Sequence, residues 1–189
     1  MDRTELESDL RSNGIFLVTD ITHKTIEEIG KWILKCRPER SRFTLLIMSP
    51  GGTPSAVLRF ASHLRLLKKD VVITGVAADE CGSAALALLQ CCHTRVAVEY
   101  TTFFIHHVQA NNKINSYNPD RQLMEEQISS AQRREEELIK LQCTRTGLTR
   151  EKWVALADRG EIDCDTPIHT PEALELGLID EIIDFFPCV

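Results

Sequence analysis

No stretch of this chain approaches the roughly 20 consecutive apolar residues that a membrane-spanning helix needs. There is no cationic excess either. The formal net charge is −6, and phosphate backbones and anionic membranes are held by Lys and Arg in surplus, so a general nucleic-acid or membrane binder is not expected. Paired Cys-x-x-Cys spacings, the mark of a structural zinc site, are missing. The adjacent Cys91-Cys92-His93 would send side chains to different faces of a helix, which suits core packing better than metal binding. Seven cysteines, an odd number without secretory context, read as reduced thiols. The opening Met1-Asp2-Arg3-Thr4-Glu5 is polar and acidic, not a signal peptide, so a cytoplasmic chain is expected. Without internal repeats or a Pro/Gly/Ser linker, residues 1–189 read as one domain.

What is present is ordinary for a soluble globular protein: 43% apolar and 26% charged residues over a length that can bury a substantial core. Ile15 to Val18 is a short apolar run bounded by Gly14 and Asp20, hence a strand. Thr25, with Glu28 in capping-box position, starts a helix whose stripe is Ile26, Ile29 and Ile33. Phe43 to Met48 is a continuous apolar strand, the pattern of a sheet buried on both faces. Thr53 and Pro54 are N-cap and N1 of the next helix, and Val71 to Ala77 is a third strand. Ala84 to Cys92 reads as a short apolar helix, Arg95 to Val98 and Thr102 to His106 as strands. Residues 109 to 119 are polar and Asn-rich, a loop or weak strand. Asp120 to Gln142 then forms a long charged helix with Leu123, Ile128, Ala131, Leu138 and Leu141 on one side. Thr149 and Thr170-Pro171 begin two further helices, the last stopping at Gly177. Strand and helix in strict succession argue for a parallel α/β core.

Four features have chemical potential, and each also has a plain structural reading. Ser49-Pro50-Gly51-Gly52 lies between a buried strand and a capped helix, where glycines let the backbone approach a ligand and amides could hold an oxyanion. Alone it is a turn. Ser83, at a strand-to-helix turn among Gly82, Ala84 and Ala85, has the surroundings of a nucleophile elbow but equally those of a helix N-cap. His106-His107 closes an apolar run, and strand alternation would turn only one of the two toward a site. Asp165 sits in an acidic loop with Glu161 and Asp163, where solvation is the default.

Taken together and in this order, these segments resemble the Clp protease proteolytic subunit and its relatives in the crotonase-like superfamily. The match runs from about residue 14 to 186. It rests on Ile15-Phe16-Leu17, Ser49-Pro50-Gly51-Gly52, Ser83-Ala84-Ala85 with Arg95, and Phe103-Phe104-Ile105-His106. Asp165 ahead of Pro171-Glu172-Ala173 and Gly177-Leu178-Ile179-Asp180 completes it. The resemblance implies the ClpP/crotonase-like α/β fold: mostly parallel sheets of stacked ββα units, flanking helices and a long handle helix. Residues 109–147 are then the handle region and 1–13 an N-terminal segment. It also implies that Ser83 is the nucleophile, His106 the general base and Asp165 the residue that orients it. The amides of Gly51 and Ala84 would form the oxyanion hole. No metal or cofactor is needed for the implied reaction, cleavage of extended polypeptides through an acyl-enzyme inside a homo-oligomeric ring, commonly two stacked heptamers.

Three departures keep alternatives open. Counted without gaps from Ser49 and from His106, the family's nucleophile position falls on Cys81; choosing Ser83 requires two extra residues before it and two fewer after. The resemblance implies a AAA+ unfoldase as partner, but thirteen residues precede Gly14, fewer than in the hairpin through which the family meets one. An Asn-rich segment replaces the family's glycine-rich strand after the catalytic His. A catalytically silent ring subunit is the second reading, and a crotonase-type acyl-CoA enzyme the third.

Overall fold

A computed structural model describes residues 2–66, 71–108, 121–162 and 167–184. The chain begins with helix α1 (Arg3–Ser12), within the N-terminal segment 1–13. A capping box forms it: the Asp2 side chain accepts from the Glu5 N–H at 2.8 Å, and the Glu5 carboxylate takes the Asp2 N–H at 3.0 Å. Arg11 in its last turn stacks over the Phe16 ring at 4.5 Å and ties it to the first strand.

Strand and helix then alternate: β1 (Ile15–Val18), α2 (His23–Cys36), β2 (Arg42–Ser49), α3 (Pro54–Leu66), β3 (Val72–Gly82), α4 (Ala84–Gln90) and β4 (Thr94–Val98). β5 (Thr102–Phe104), α5 (Arg121–Thr146), α6 (Arg150–Ile162), β6 (Ile168–His169), α7 (Thr170–Glu175) and β7 (Glu181–Ile183) follow. The main sheet has the order β1-β2-β3-β4-β7, all parallel. The N-cap of α2 is Thr22, not Thr25: its Oγ1 accepts the Thr25 N–H at 3.0 Å, so the helix starts a turn earlier than expected.

β2 buries Phe43, Leu45, Ile47 and Ser49 while Thr44 and Leu46 are half-covered, so one sheet face is sealed and the other is partly open. The continuous apolar run predicted two equally buried faces; in this chain only one is closed. The sealed face packs the aromatic trio Phe16, Trp32 and Phe43, with centroid separations of 5.5 and 5.1 Å. α4 is buried all round from Ala84 to Gln90, which is why its sequence shows no polar face.

β3 does two jobs. Residues up to Ala77 pair with β2 and β4, while Glu80, Cys81 and Gly82 pair with β5, which in turn pairs antiparallel with β6. Between the two parts the register slips. From Ile47↔Ala77 to Ser49↔Cys81, β2 advances two residues while β3 advances four. Asp79, with φ +61°, takes up the bulge.

Candidate active site

The β-bulge decides where the next turn falls. Two surplus residues in β3 carry the chain on to Gly82 before the sheet ends, and Ser83 becomes the residue at the strand-to-helix turn. Its backbone has φ +49° and ψ −118°, a region that non-glycine residues rarely occupy and that costs on the order of 1–3 kcal/mol. The turn is pinned by the Ser83 N–H, which donates to the Phe104 carbonyl at 2.8 Å. Ser83 occupies the N-cap position of α4 without capping it: no hydrogen bond runs from its side chain to the helix. The plain reading of Ser83 as a cap therefore fails. Its hydroxyl makes no hydrogen bond among the described residues, and it opens on a small cavity shared with His106.

Cys81, the other candidate nucleophile, points inward. It is fully buried, and that burial, reinforced by the neighbouring Glu80 charge, pushes its thiol far above the ordinary range. A thiolate is the reactive form of cysteine, so this position is unsuited to attack. Cys91 is likewise pushed up to about 12 by burial. The Cys91 and Cys92 thiols bond back to Ala87 and Leu88 carbonyls at 3.4 and 3.6 Å, while His93 Nδ1 accepts the Ile73 N–H.

Gly51 lies directly against Ser83. A Cβ built on it would sit 2.9 Å from the Ser83 Cβ and 3.2 Å from the Ala84 nitrogen, and its φ is +132°. Only glycine permits this approach. The Ala84 N–H, in the first turn of α4, makes no hydrogen bond among the described residues. The Gly51 N–H is directed to the buried Ser49 hydroxyl at 3.2 Å. Of the two sequence-predicted oxyanion donors, one is thus open and one is held by its own turn.

The two histidines do not alternate as expected. β5 ends at Phe104, so residues 105–108 follow no strand pleat, and His106 and His107 both line the Ser83 cavity. His106 is exposed, and its Nδ1–H donates to the His107 carbonyl at 2.7 Å. That bond leaves Nε2 with the lone pair, the tautomer a general base requires. His107 is clamped instead: Nδ1 meets Glu135 of α5 at 2.5 Å and Nε2 meets Asp158 of α6 at 2.8 Å. Carboxylates only accept, so the ring that satisfies both is the imidazolium. Asp165 lies outside the described residues.

Sequence reasoning passed over the cavity's far wall. Leu138, Ile139 and Trp153 form it, and Gln142 stands among them although it is polar. Its place four residues after Leu138, on the apolar stripe of α5, was the available signal. The rest of that stripe is uneven: Ala131 and Leu138 are buried, but Ile128 is exposed and Ile139 takes its share.

Away from this cavity, a polar knot holds the C-terminal end to the sheet. Arg95, on β4 and buried, donates to both Asp180 carboxylate oxygens, to Gln90 Oε1 at 2.6 Å and to the Gly177 carbonyl at 2.7 Å. Gln90 reaches the Leu178 carbonyl at 2.9 Å. The Arg95 hydrogen bonds hold the Asp180 carboxyl below its usual range.

The Clp protease model fits residues 4–185. The chain belongs to the Clp protease family. The proteolytic subunit 2 of the ATP-dependent Clp protease of Thermobifida fusca is 29% identical over 187 residues, covering 95% of this chain and 85% of that protein. Proteolytic subunit 1 from Protochlamydia amoebophila is 26% identical over 189 residues, covering 98% and 86%. The crystal structure of the ClpP protease catalytic domain from Plasmodium falciparum superposes with a TM-score of 0.75 at 19% identity, covering 98% of this chain and 93% of that one. That likeness is one of fold, and it bears out the expected ClpP-like α/β architecture. No helix among the described residues is long and apolar enough to cross a membrane.

Proposed function

We propose that this chain is a serine peptidase subunit in which Ser83 attacks the peptide carbonyl and His106 Nε2 takes its proton. The acyl-enzyme forms as the amine leaves with that proton, and water, activated by the same imidazole, releases the acid. The Ala84 N–H, with the Gly51 amide turned outward, would hold the oxyanion; one such donor is worth about 3 kcal/mol. Asp165 would orient His106, in the place that the His107 carbonyl occupies here. The reading extends to a homo-oligomeric ring acting on polypeptides in the cytoplasm.

The observation that carries this is the Ser83 backbone: a strained, non-capping serine whose hydroxyl is free, next to a histidine with an open Nε2. Two observations favour a silent ring subunit instead. No hydrogen bond joins Ser83 to His106 among the described residues, and the Gly51 amide is engaged. Labelling with a fluorophosphonate or β-lactone, mapped by mass spectrometry, separates the two. An adduct on Ser83 that disappears in Ser83→Ala supports the peptidase. No adduct on an assembled protein supports the silent subunit, and an adduct on Cys81 would overturn the assignment of the nucleophile. Light scattering should give a mass well above the 21.4 kDa of one chain; a stable monomer contradicts the ring.

A further inference from the structure

His106 stands two residues beyond the end of β5 and is exposed, so neither a strand ladder nor core packing holds the proposed base. A reacting group must nonetheless keep its place to within a fraction of an ångström, through neighbours whose own side chains are locked. On one side the chain is anchored by Ile105, which is buried in the core. On the other side the anchor is electrostatic. The His107 ring bridges two helices: Nδ1 donates to Glu135 Oε1 on α5 at 2.5 Å, and Nε2 donates to Asp158 Oδ1 on α6 at 2.8 Å. The same Glu135 oxygen accepts the Val108 N–H at 3.4 Å.

Two charge-assisted hydrogen bonds to carboxylates on different helices leave the ring little freedom to turn. They fix the main chain at residue 107, and that main chain carries the carbonyl that takes the His106 Nδ1–H at 2.7 Å. The path from α5 and α6 to the His106 tautomer therefore runs through one residue. We infer that His107 is a positioning residue for the His106 base: its clamped ring fixes the backbone from which His106 hangs and the carbonyl that selects its tautomer. Asp165, proposed to take the same N–H, would meet a ring whose backbone is already held. The inference rests on Ser83 and His106 as the reacting pair.

Saturation kinetics of a fluorophosphonate on Ser83 separate a positioning role from a merely structural one, as a limiting labelling rate and a half-saturating concentration. His107→Phe keeps an aromatic ring and removes both hydrogen bonds. It should lower the limiting rate roughly 10²-fold, the scale of a misplaced catalytic group, and leave half-saturation within about threefold. His107→Arg, which can donate to both carboxylates, should recover most of the rate. Asp158→Ala, at an exposed position where truncation should spare the fold, should cost about tenfold. A folded His107→Phe or Asp158→Ala protein that labels at the native limiting rate overturns the inference, as does a loss confined to half-saturation or one that arginine does not mend. The clamp has its own readout in diethyl pyrocarbonate modification mapped by mass spectrometry. His106, with its open Nε2, should react about tenfold faster than His107, the protection that one charge-assisted hydrogen bond gives. Equal rates mean an unclamped ring and also overturn the inference. Absence of a Ser83 adduct in the unaltered protein is the failure of the catalytic reading; it takes the positioning role with it, while a protected His107 would show that the clamp itself stands.

Discussion

Arg95, paired with the start of β3, and Ser83, just past its end, treat their polar groups in opposite ways. Around Arg95 every guanidinium nitrogen donates, to Asp180, Gln90 or the Gly177 carbonyl. Around Ser83 the hydroxyl, the Ala84 N–H and the Gln142 oxygen all lack partners among the described residues. Buried polar groups that satisfy one another contribute to the fold, whereas groups left open cost stability and persist where a ligand completes them. The contrast separates the part of the chain that holds its shape from the part proposed to react.

The largest effect expected is at Ser83. Ser83→Ala should lower peptide hydrolysis roughly 10⁴-fold or more, measured on a fluorogenic peptide, with little loss of stability. Next comes the saturated end. Asp180→Ala strands the Arg95 charge; because Asp180 is partly open to solvent, the expected loss is about 2–3 kcal/mol, below that of a fully buried pair, and shows in urea melts. The same pair gives a pH signature. Arg95 lowers the Asp180 pKa, so its stabilisation is fully present above the ordinary carboxylate value near 4 and is lost as pH falls through the lowered one. The stability gap between the native chain and Asp180→Ala should therefore be constant from pH 7 to about 5 and close below about 4. The smallest effect returns to Ser83: glycine tolerates the φ of +49°, so Ser83→Gly should exceed Ser83→Ala in stability by about 1 kcal/mol. Equal stabilities would mean that the turn stores no strain.

Much of this was legible from residue pattern. The alternating strands and helices and the glycine turn follow from local chemistry, and the Gly-Leu-Ile-Asp ending carried the family resemblance. The choice between Ser83 and Cys81 was not, because it depends on ladder register. Counting along the chain assigns equal steps to β2 and β3, and nothing in Ala78-Asp79-Glu80 announces that the sheet will absorb two extra residues there. The His106 and His107 expectation failed for a related reason: period-two alternation applies only while the strand lasts, and β5 stops at Phe104. Thr22 outcompeted Thr25 as N-cap because helix propensity extends a start by one turn wherever an earlier cap is available. Gln142 was overlooked because an amide on a charged helix looks solvated until the opposite wall is known.

The chain has two tryptophans, and the fold has separated them. Trp32 is wedged between Phe16 and Phe43 under the sheet, whereas Trp153 lines the Ser83 cavity. Both indoles are buried in the core, but only Trp153 touches that cavity. Emission from Trp153 should therefore shift when the cavity is filled, while that from Trp32 should change only when the core opens. With Trp32→Phe, one optical channel would then read ligand entry in real time, without any attached dye.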